Sequence, residues 1–287
     1  MYVATRLGRW FYDERGAARR PNDPAIVLLH GLLLDGAMWD EQVGPLSELG
    51  RVVVIDGPGH GKSEVPPPFS LDDHARALVD ALDALGIFKA VLVGLSWGGM
   101  LAMRVALDHP MRIVALGLLD TSAEMESRVQ RIKNRLMNSI FRNVGLPPAL
   151  FEKQVAPLLF GHKTLRERPE LVGRTYSHVS GFPRLGVSRA VKAVSVERPS
   201  ILDKVRAISC PTLVLCGRDD LATPPARSEA IANRLPRATL KYIDGSGHSS
   251  TIERPEAVNA ALVPFVREHL SGGEKDAGQK RPESPTP

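Results

Sequence analysis

The sequence is poor in cysteine and in aromatic residues, and it contains no long apolar run. Its 287 residues include only two cysteines, Cys210 and Cys216, with no cluster of His or further Cys beside them. We therefore expect free structural thiols rather than a disulfide or a metal site. No segment approaches the roughly 18 apolar residues of a membrane helix. Charged residues interrupt residues 1–20 and exclude the apolar core of a signal peptide. We expect a cytoplasmic protein without a membrane span.

The chain is basic, but most of its positive charge is dispersed. The formal net charge is +5, and 43% hydrophobic residues are typical of a globular protein. The densest basic group alternates with apolar residues at helical spacing, which predicts an amphipathic helix with a solvated charged side. Its basic members are Arg128, Arg131, Lys133 and Arg135, and its apolar members are Val129, Ile132, Leu136 and Ile140. Aromatic residues do not interleave with them as a nucleic-acid stacking platform requires, so we expect no nucleic-acid partner.

Short apolar runs alternate with helical patterns along most of the chain. Strands are predicted at residues 25–30, 52–56, 90–95, 114–120, 212–216 and 239–243. Most of them are continuous runs rich in Val, Leu and Ile, which suit strands buried on both faces of a parallel sheet. Helical patterns cover residues 71–85, 97–109, 226–235 and 255–270, and Pro264 predicts a kink or a break in the last of them. This alternation predicts an α/β fold with a doubly wound, mostly parallel β-sheet. Residues 2–12 predict an additional edge hairpin.

One long stretch departs from the alternation. Residues 124–209 contain helical patterns and several prolines but no predicted strand. We therefore expect a helical lid inserted into a core domain formed by residues 1–123 and 210–270. Such an insertion would lie over the carboxyl ends of the strands, where open α/β sheets bind ligands. Residues 271–287 are rich in Gly, Pro, Glu and Lys and contain no large apolar residue, which predicts a disordered tail.

The most informative motif is Gly-Leu-Ser-Trp-Gly-Gly at residues 94–99. It follows a predicted strand and precedes a predicted helix, the context in which G-x-S-x-G forms a nucleophile elbow. Gly94 and Gly98 lack Cβ atoms, so the chain can pack closely around the turn. The N-terminus of the following helix adds partial positive charge beside a developing oxyanion. Ser96 is therefore the predicted nucleophile.

A serine hydroxyl needs a general base, and the base needs an orienting acid. His248 is the predicted base, because it lies in a glycine-containing loop just after the predicted strand 239–243. The acid is expected in the loop after the preceding strand, since the order along the chain is Ser, acid, His. Asp219 and Asp220 both lie in that loop. The strand and loop alone do not separate them.

Two backbone N–H groups are needed to bind an oxyanion. Trp97, directly after the nucleophile, is one predicted donor, and Leu32, in the loop after the strand 25–30, is the other. We expect His30 to brace this loop rather than to act as the base. The loop at residues 56–63 ends in Gly-Lys-Ser, but it lacks the first glycine of a phosphate-binding loop and contains Pro58. We interpret it as a tight loop that supports the site.

Together these motifs resemble the α/β-hydrolase superfamily, in its serine-nucleophile branch, over about residues 20–270. The segments that carry the resemblance are His30-Gly31, Asp56-x-x-Gly59-x-Gly61-x-Ser63, Gly94-x-Ser96-x-Gly98-Gly99 and Gly247-His248. Gly217-x-x-Asp220 followed by Thr223-Pro224 is similar to the acid loop of the family. The resemblance therefore assigns the acid role to Asp220, with Asp219 as the alternative. Residues 30–35, 119–123 and 247–250 most resemble 3-oxoadipate enol-lactonases, small carboxylesterases and perhydrolases.

The resemblance implies a hydrolase that cleaves a carboxylic ester or lactone through an acyl-enzyme, with no metal or organic cofactor. Two alternatives stay open: a carbon–carbon bond hydrolase of a dicarbonyl with the same triad, and a slow-turnover ligand receptor on the same fold. Trp97 stands where many relatives carry Met or another residue. Its indole has three possible roles: to narrow the acyl pocket, to stack on a substrate or to fill the interface between helix and sheet. The candidate substrate-pocket residues are Leu33, Trp39, Met125, Leu136 and Phe141.

Overall fold

The fold is described from a computed structural model, which covers residues 1–18, 20 and 22–270. The predicted tail at residues 271–287 lies outside the described residues. Within the described ranges, none of the helices combines the length and the apolar character that crossing a bilayer requires.

Strands in the described residues form one central sheet: β1 (Tyr2–Thr5), β2 (Gly8–Arg15), β3 (Ala25–Leu29), β4 (Val52–Ile55), β5 (Ala90–Leu95), β6 (Ile113–Leu119), β7 (Thr212–Gly217) and β8 (Ala238–Ile243). Their spatial order is β1-β2-β4-β3-β5-β6-β7-β8. The pairs β1–β2 and β2–β4 are antiparallel, and the pairs from β4 to β8 are parallel. The predicted doubly wound, mostly parallel sheet is confirmed, and β1 and β2 form the predicted edge hairpin.

The described α-helices are α1 (Asp40–Ser47), α2 (Leu71–Ala84), α3 (Trp97–Asp108), α4 (Arg128–Val144), α5 (Pro148–Leu150), α6 (Ala156–Leu159), α7 (His162–Glu167), α8 (Pro169–Ser180), α9 (Arg184–Val191), α10 (Pro225–Ala232), α11 (Ser250–Glu253) and α12 (Pro255–Leu270). Ile26 and Leu28 of β3 belong to the buried cluster that includes α1 and α12. Val27 and Leu29 belong to the cluster that includes α2 and α3. Successive residues of a strand face opposite sides, so helices cover both faces of the sheet.

Two features of the helices differ from the sequence predictions. The prediction missed α1, because Gly44 and Pro45 within it disfavour a helix and its pattern is weakly amphipathic. Of the two outcomes predicted at Pro264, a kink or a break, the break does not occur, since α12 continues through that residue. Val258, Leu262 and Val266 of α12 are fully buried against the sheet. Their packing offsets the hydrogen bond that proline removes from the helix.

Residues 124–209, all of them described, contain helices and no strand. They connect β6 to β7, which are neighbours in the sheet; we call them the cap. The cap has a small apolar cluster of its own around Phe151 and Phe160. It also contacts the core backbone to backbone, since a Cβ on Gly59 would lie 2.6 Å from Gly186 Cα in α9. The backbone of the core and the backbone of the cap therefore meet at a point where neither has room for a side chain.

The expected orientation of α4 is wrong. Its apolar residues Val129, Ile132 and Leu136 are exposed rather than packed. The side that faces the rest of the cap is polar, because Asn134 and Asn138 donate hydrogen bonds to backbone carbonyls of the cap. Periodicity located the helix correctly. It did not predict which side the neighbouring backbone would engage.

Candidate active site

Ser96 lies in a strained turn between β5 and α3. Its φ of 51° falls in the left-handed region that non-glycine residues rarely adopt. The turn requires glycine on both sides: a Cβ on Gly94 would lie 2.2 Å from the carbonyl carbon of Gly98, and one on Gly98 would lie 2.2 Å from Leu29 O. The Ser96 N–H donates to Leu119 O over 2.8 Å. Close packing of backbone against backbone therefore fixes the direction of the Ser96 side chain.

The loops after β7 and β8 bring Asp220 and His248 together. Asp220 Oδ2 lies 2.8 Å from His248 Nδ1, and both side chains are buried. The Thr223 hydroxyl donates to the same carboxylate oxygen over 2.8 Å, and the Thr223 N–H donates to Asp220 Oδ1 over 2.9 Å. Asp219 is partly exposed and makes no hydrogen bond to the imidazole in the part of the chain that is described. The carboxylate that orients the ring is therefore that of Asp220.

Ser96 and His248 lie at the same edge of the sheet. Leu119 of β6 pairs with Leu95 of β5 and with Leu215 of β7, and β7 pairs in parallel with β8, which precedes His248. The carboxyl ends of these strands are therefore adjacent. Both side chains are almost buried, with 7% and 6% exposure. Within the described residues, the Ser96 hydroxyl and the His248 imidazole form no hydrogen bond in this conformation. Such catalytic hydrogen bonds often tighten only once substrate binds.

The charges around His248 favour its protonated form. Burial lowers the pKa of His248, but the Asp220 carboxylate and its hydrogen bond outweigh burial, so the pKa lies above its usual value. An imidazole with a raised pKa is a stronger base for the Ser96 proton.

Asp120, to which the sequence assigned no role, connects the two loops of the site. Its Oδ1 accepts the Gly217 N–H over 2.7 Å, at the start of the acid loop, and its Oδ2 is hydrogen-bonded to the hydroxyl of Ser250, two residues after His248. Burial, and then the charge of Asp220, raise the pKa of Asp120 to about 8. Asp120 is therefore mostly protonated at neutral pH. Its position after an apolar strand, at the carboxyl edge of the sheet, was the available signal.

Glu253, which the sequence analysis also missed, holds the histidine loop against the cap. Its carboxylate accepts the Gly247 N–H and the Gly161 N–H, each over 2.8 Å. Gly247 precedes His248, and Gly161 belongs to the cap. Burial raises the pKa of Glu253. Nothing in the local sequence distinguishes this glutamate from a surface residue. Its hydrogen-bond partners are backbone N–H groups that are distant along the chain or lie in an irregular loop.

The two predicted oxyanion donors lie beside the nucleophile and have free N–H groups. A Cβ on Gly31 would lie 3.5 Å from Ser96 Cβ, so the loop after β3 contacts the elbow. Neither Leu32 N–H nor Trp97 N–H has a hydrogen-bond partner among the described residues. Trp97 is the first residue of α3, where the helix itself supplies no acceptor. Both groups are available to bind a negatively charged oxygen.

Two buried histidines shape the loop that carries Leu32. His30 Nδ1 lies 2.7 Å from Gly31 O, and its Nε2 accepts the Gly57 N–H over 2.7 Å. His60 Nε2 accepts the Leu33 N–H over 3.3 Å. Burial lowers the pKa of His60 to about 3, so it stays neutral. His30 therefore braces the loop, and His60 fixes Leu33 at its positive φ of 65°.

The loop at residues 56–63 directs its hydrogen bonds inward. Asp56 accepts the Lys62 N–H within the loop and the Gly36 N–H beyond the oxyanion loop, each over 2.9 Å. Its backbone carbonyl accepts the Ser63 hydroxyl over 2.7 Å. The loop thus supports the oxyanion loop, and Lys62 N–H, which a phosphate cradle would need, is already engaged.

Trp97 packs beneath the elbow. Its side chain is 1% exposed, and its ring centroid lies 5.6, 5.1 and 4.8 Å from those of His30, His60 and His74. Of the three roles that the sequence left open, this position corresponds to filling the interface between helix and sheet. At this exposure the indole offers almost no surface to a substrate.

The five pocket candidates do not come together. Trp39 is fully buried in the core cluster that contains α1 and α12, so it is corrected to a core residue. Leu136 is 62% exposed on α4 and is corrected to a surface residue, because the polar side of α4 faces the cap. Met125 is exposed, and Phe141 is half-buried on α4. Leu33 alone lies in the oxyanion loop.

Comparisons with known proteins agree with this architecture. Residues 24–255 match the family described as the alpha/beta hydrolase fold. One relative is RutD of Caulobacter vibrioides, which is named as a candidate carbamate hydrolase. It is 30% identical over 247 residues, which are 84% of this chain and 89% of RutD. The 3-oxoadipate enol-lactonase 1 of Acinetobacter baylyi is 28% identical over 246 residues, 86% of this chain and 90% of the lactonase. A thermophilic esterase from Thermogutta terrifontis superposes with a TM-score of 0.85 and 29% identity, over 94% of this chain and all of the esterase chain.

The chain therefore belongs to the α/β-hydrolase fold family. It is an enzyme of the hydrolase class, and its relatives include an enol-lactonase and an esterase. The resemblance that the sequence motifs indicated is thereby confirmed at the level of family and fold.

Proposed function

We propose that the protein is a serine hydrolase that cleaves a carboxylic ester or a lactone through an acyl-enzyme, with Ser96, His248 and Asp220 as its triad. The observation that carries the proposal is the nucleophile elbow: Ser96 at φ 51°, next to two free N–H groups and at the same sheet edge as the His248–Asp220 pair. A positive φ at a serine is strain that a protein retains where function requires it. Cys210 and Cys216 are both free thiols, which suits a cytoplasmic location. We include that location in the proposal.

The chemistry follows from the positions of these groups. His248 Nε2 takes the proton of the Ser96 hydroxyl as Ser96 Oγ attacks the carbonyl carbon, and the Nδ1–H of the imidazolium donates to Asp220. The N–H groups of Leu32 and Trp97 bind the oxyanion. The tetrahedral intermediate expels the alcohol oxygen, which takes the proton from His248 and leaves Ser96 acylated.

Water then completes the cycle. His248 removes a proton from water, whose oxygen attacks the acyl carbon, and the same two N–H groups bind the second oxyanion. The carboxylic acid leaves and Ser96 Oγ recovers its proton from His248. In a lactone the alcohol and the acid are parts of one molecule, so a single hydroxy acid is released. No step requires a metal or an organic cofactor.

We further propose that the cap, residues 124–209, acts as a lid that selects the acyl group. Two contacts support this role: the Ser249 N–H donates to Leu159 O in the cap over 2.9 Å, and Glu253 joins Gly161 to the histidine loop. The cap is thus tied to the residues on both sides of His248. Its position governs access to the carboxyl edge of the sheet.

Replacement of the nucleophile tests the proposal. Ser96→Ala should lower kcat on p-nitrophenyl esters by at least about 10⁴-fold and should abolish labelling by a fluorophosphonate. The matched control is Ser122→Ala, at a buried serine three residues after the end of β6, which should retain both. Retention of most activity in Ser96→Ala would show that the nucleophile lies elsewhere.

A substrate panel separates the proposal from its alternatives. We expect turnover of esters or lactones graded by acyl length, and less turnover of a meta-cleavage-type dienoate, which a carbon–carbon hydrolase would prefer. A carbamate ester belongs in the panel because of the RutD relative. Tight ligand binding without turnover, and without labelling of Ser96, would instead favour a receptor.

A further inference from the structure

The cap helix α4 exposes an apolar stripe, on a side of the helix that also carries Lys133 and Asn143. Val129, Ile132, Leu136 and Val144 are between 62% and 67% exposed, and Ile140 is 37% exposed. Their spacing of three and four residues places them on one side of the helix, over about 22 Å at 1.5 Å per residue. An apolar surface of this kind marks a contact site, because single exposed apolar residues are normally scattered.

Hydrogen bonds on the opposite side hold this orientation in place. Arg131 Nε donates to Val196 O over 2.7 Å, Asn134 Nδ2 to Ser195 O over 3.1 Å, and Asn138 Nδ2 to Ser188 O over 3.0 Å. Residues 131, 134 and 138 follow one another at helical spacing on the side away from the stripe. Turning the stripe inward would break all three bonds and bury apolar groups against backbone carbonyls. The exposed stripe is therefore a property of how the cap is built.

The charge of α4 indicates what covers the stripe. The helix contains five cations, Arg128, Arg131, Lys133, Arg135 and Arg142, and no acidic residue. A second copy of the helix laid against the first would bring like charges together, which opposes a symmetric dimer through this surface. An anionic surface with an apolar interior matches both features, since basic amphipathic helices lie along membrane interfaces with their apolar side among the acyl chains.

We propose that α4 binds the surface of a bilayer that contains anionic phospholipids, with the stripe from Val129 to Val144 inserted between the headgroups. By helical spacing, Lys133 lies on the same side of the helix as the stripe, and Arg128 and Arg135 lie near the edge formed by Ile132. Long basic side chains extend their charged ends to the headgroups while their stems stay apolar. The protein would associate peripherally, through one helix of the cap. This inference is independent of the proposed ester hydrolysis.

Vesicle sedimentation tests the proposal with the full chain. The protein should sediment with vesicles of phosphatidylcholine mixed with phosphatidylglycerol, and much less with phosphatidylcholine alone. High salt should weaken the binding, because screening reduces the attraction of cations to an anionic surface. Failure to bind the anionic vesicles at low salt would overturn the proposal.

Two variants identify the surface responsible. Ile132→Gln with Leu136→Gln should lower the partition coefficient by at least about tenfold, because binding scales with the apolar area inserted. Lys133→Gln with Arg135→Gln should lower it by about tenfold or more on anionic vesicles, given the attraction of each cation. Met111→Gln, at a methionine that is 82% exposed outside the cap, is the matched control and should bind like the unaltered protein. Circular dichroism checks that each variant is folded.

Other outcomes decide against a bilayer. Equal binding by the Ile132→Gln, Leu136→Gln variant and the unaltered protein would show that another surface contacts the vesicles. A dimer seen by analytical ultracentrifugation and abolished by the same two substitutions would show that a second copy of the chain covers the stripe. Either result would overturn the proposal without bearing on Ser96.

Discussion

His248 Nδ1 lies 2.8 Å from Asp220 Oδ2, while the neighbouring Asp219 carboxylate makes no hydrogen bond to the ring within the described residues. One residue along the chain thus separates a carboxylate that orients the imidazole from one that does not. Thr223 donates twice to Asp220 and holds it in that position. The two aspartates can be distinguished by experiment.

Asp220→Asn should lower kcat/KM by about 10⁴-fold, because an amide orients the imidazole in the wrong tautomer and does not stabilise its charge. Asp219→Asn should leave kcat/KM close to that of the unaltered protein. Asp220 raises the pKa of His248, and the base must be unprotonated. Its removal should therefore move the acidic limb of the pH–rate profile to lower pH. Steady-state kinetics from acidic to neutral pH measure both effects, and a greater loss from the Asp219 change would reverse the assignment.

Asp120→Asn should make the free energy of unfolding less dependent on pH. The pKa of Asp120 is raised to about 8 in the folded protein, against about 4 for an unfolded aspartate. Unfolding therefore releases a proton between these values, and stability falls as pH rises through this window. Asparagine retains an acceptor for the Gly217 N–H and a donor for Ser250 without titrating. Urea unfolding near pH 5, 7 and 9 measures the free energy of unfolding of both proteins. The variant should become more stable relative to the unaltered protein as pH rises. An equal dependence of the two free energies on pH would contradict an uncharged Asp120.

Gly98→Ala should destabilise the protein by about 1–3 kcal/mol or more and should lower activity, because its Cβ would lie 2.2 Å from Leu29 O. The matched control is Gly173→Ala in α8, where a Cβ would have no atom within 4 Å. That change should stabilise by about 0.5–1 kcal/mol through helix propensity. Thermal unfolding measures both, and equal effects at the two glycines would show that the elbow tolerates a side chain.

The sequence predicted the elements whose pattern is local. The six strands predicted from residue 25 onward all occur, and the Gly94–Ser96–Gly98 motif occupies the predicted turn. β8 is an edge strand with alternating exposure, unlike the buried runs. The local sequence pattern did not predict features that depend on backbone groups far away along the chain. The side of α4 that packs is chosen by carbonyls about 50 to 65 residues away, so amphipathic periodicity alone predicted the wrong side.

The same limit applies to the site. Ser96 and His248 carry local signals, a glycine-rich turn and a glycine-containing loop, whereas Asp120 and Glu253 act on backbone that the fold brings to them. Trp39 was a candidate pocket residue, but the helical turn of residues 36–39, which Asp35 caps, directs it into the core. Proximity along the chain does not reveal which face of a sheet a side chain reaches.

The contact between Gly59 and Gly186 constrains how the cap can move. Side chains at an interface can change rotamer and let two surfaces slide, but two glycine backbones that leave no room for a Cβ have no rotamers to adjust. A cap that opens must either separate at this contact or rotate about it. Rotation about it would also have to break the hydrogen bonds that tie Gly161 to Glu253 and Leu159 to Ser249.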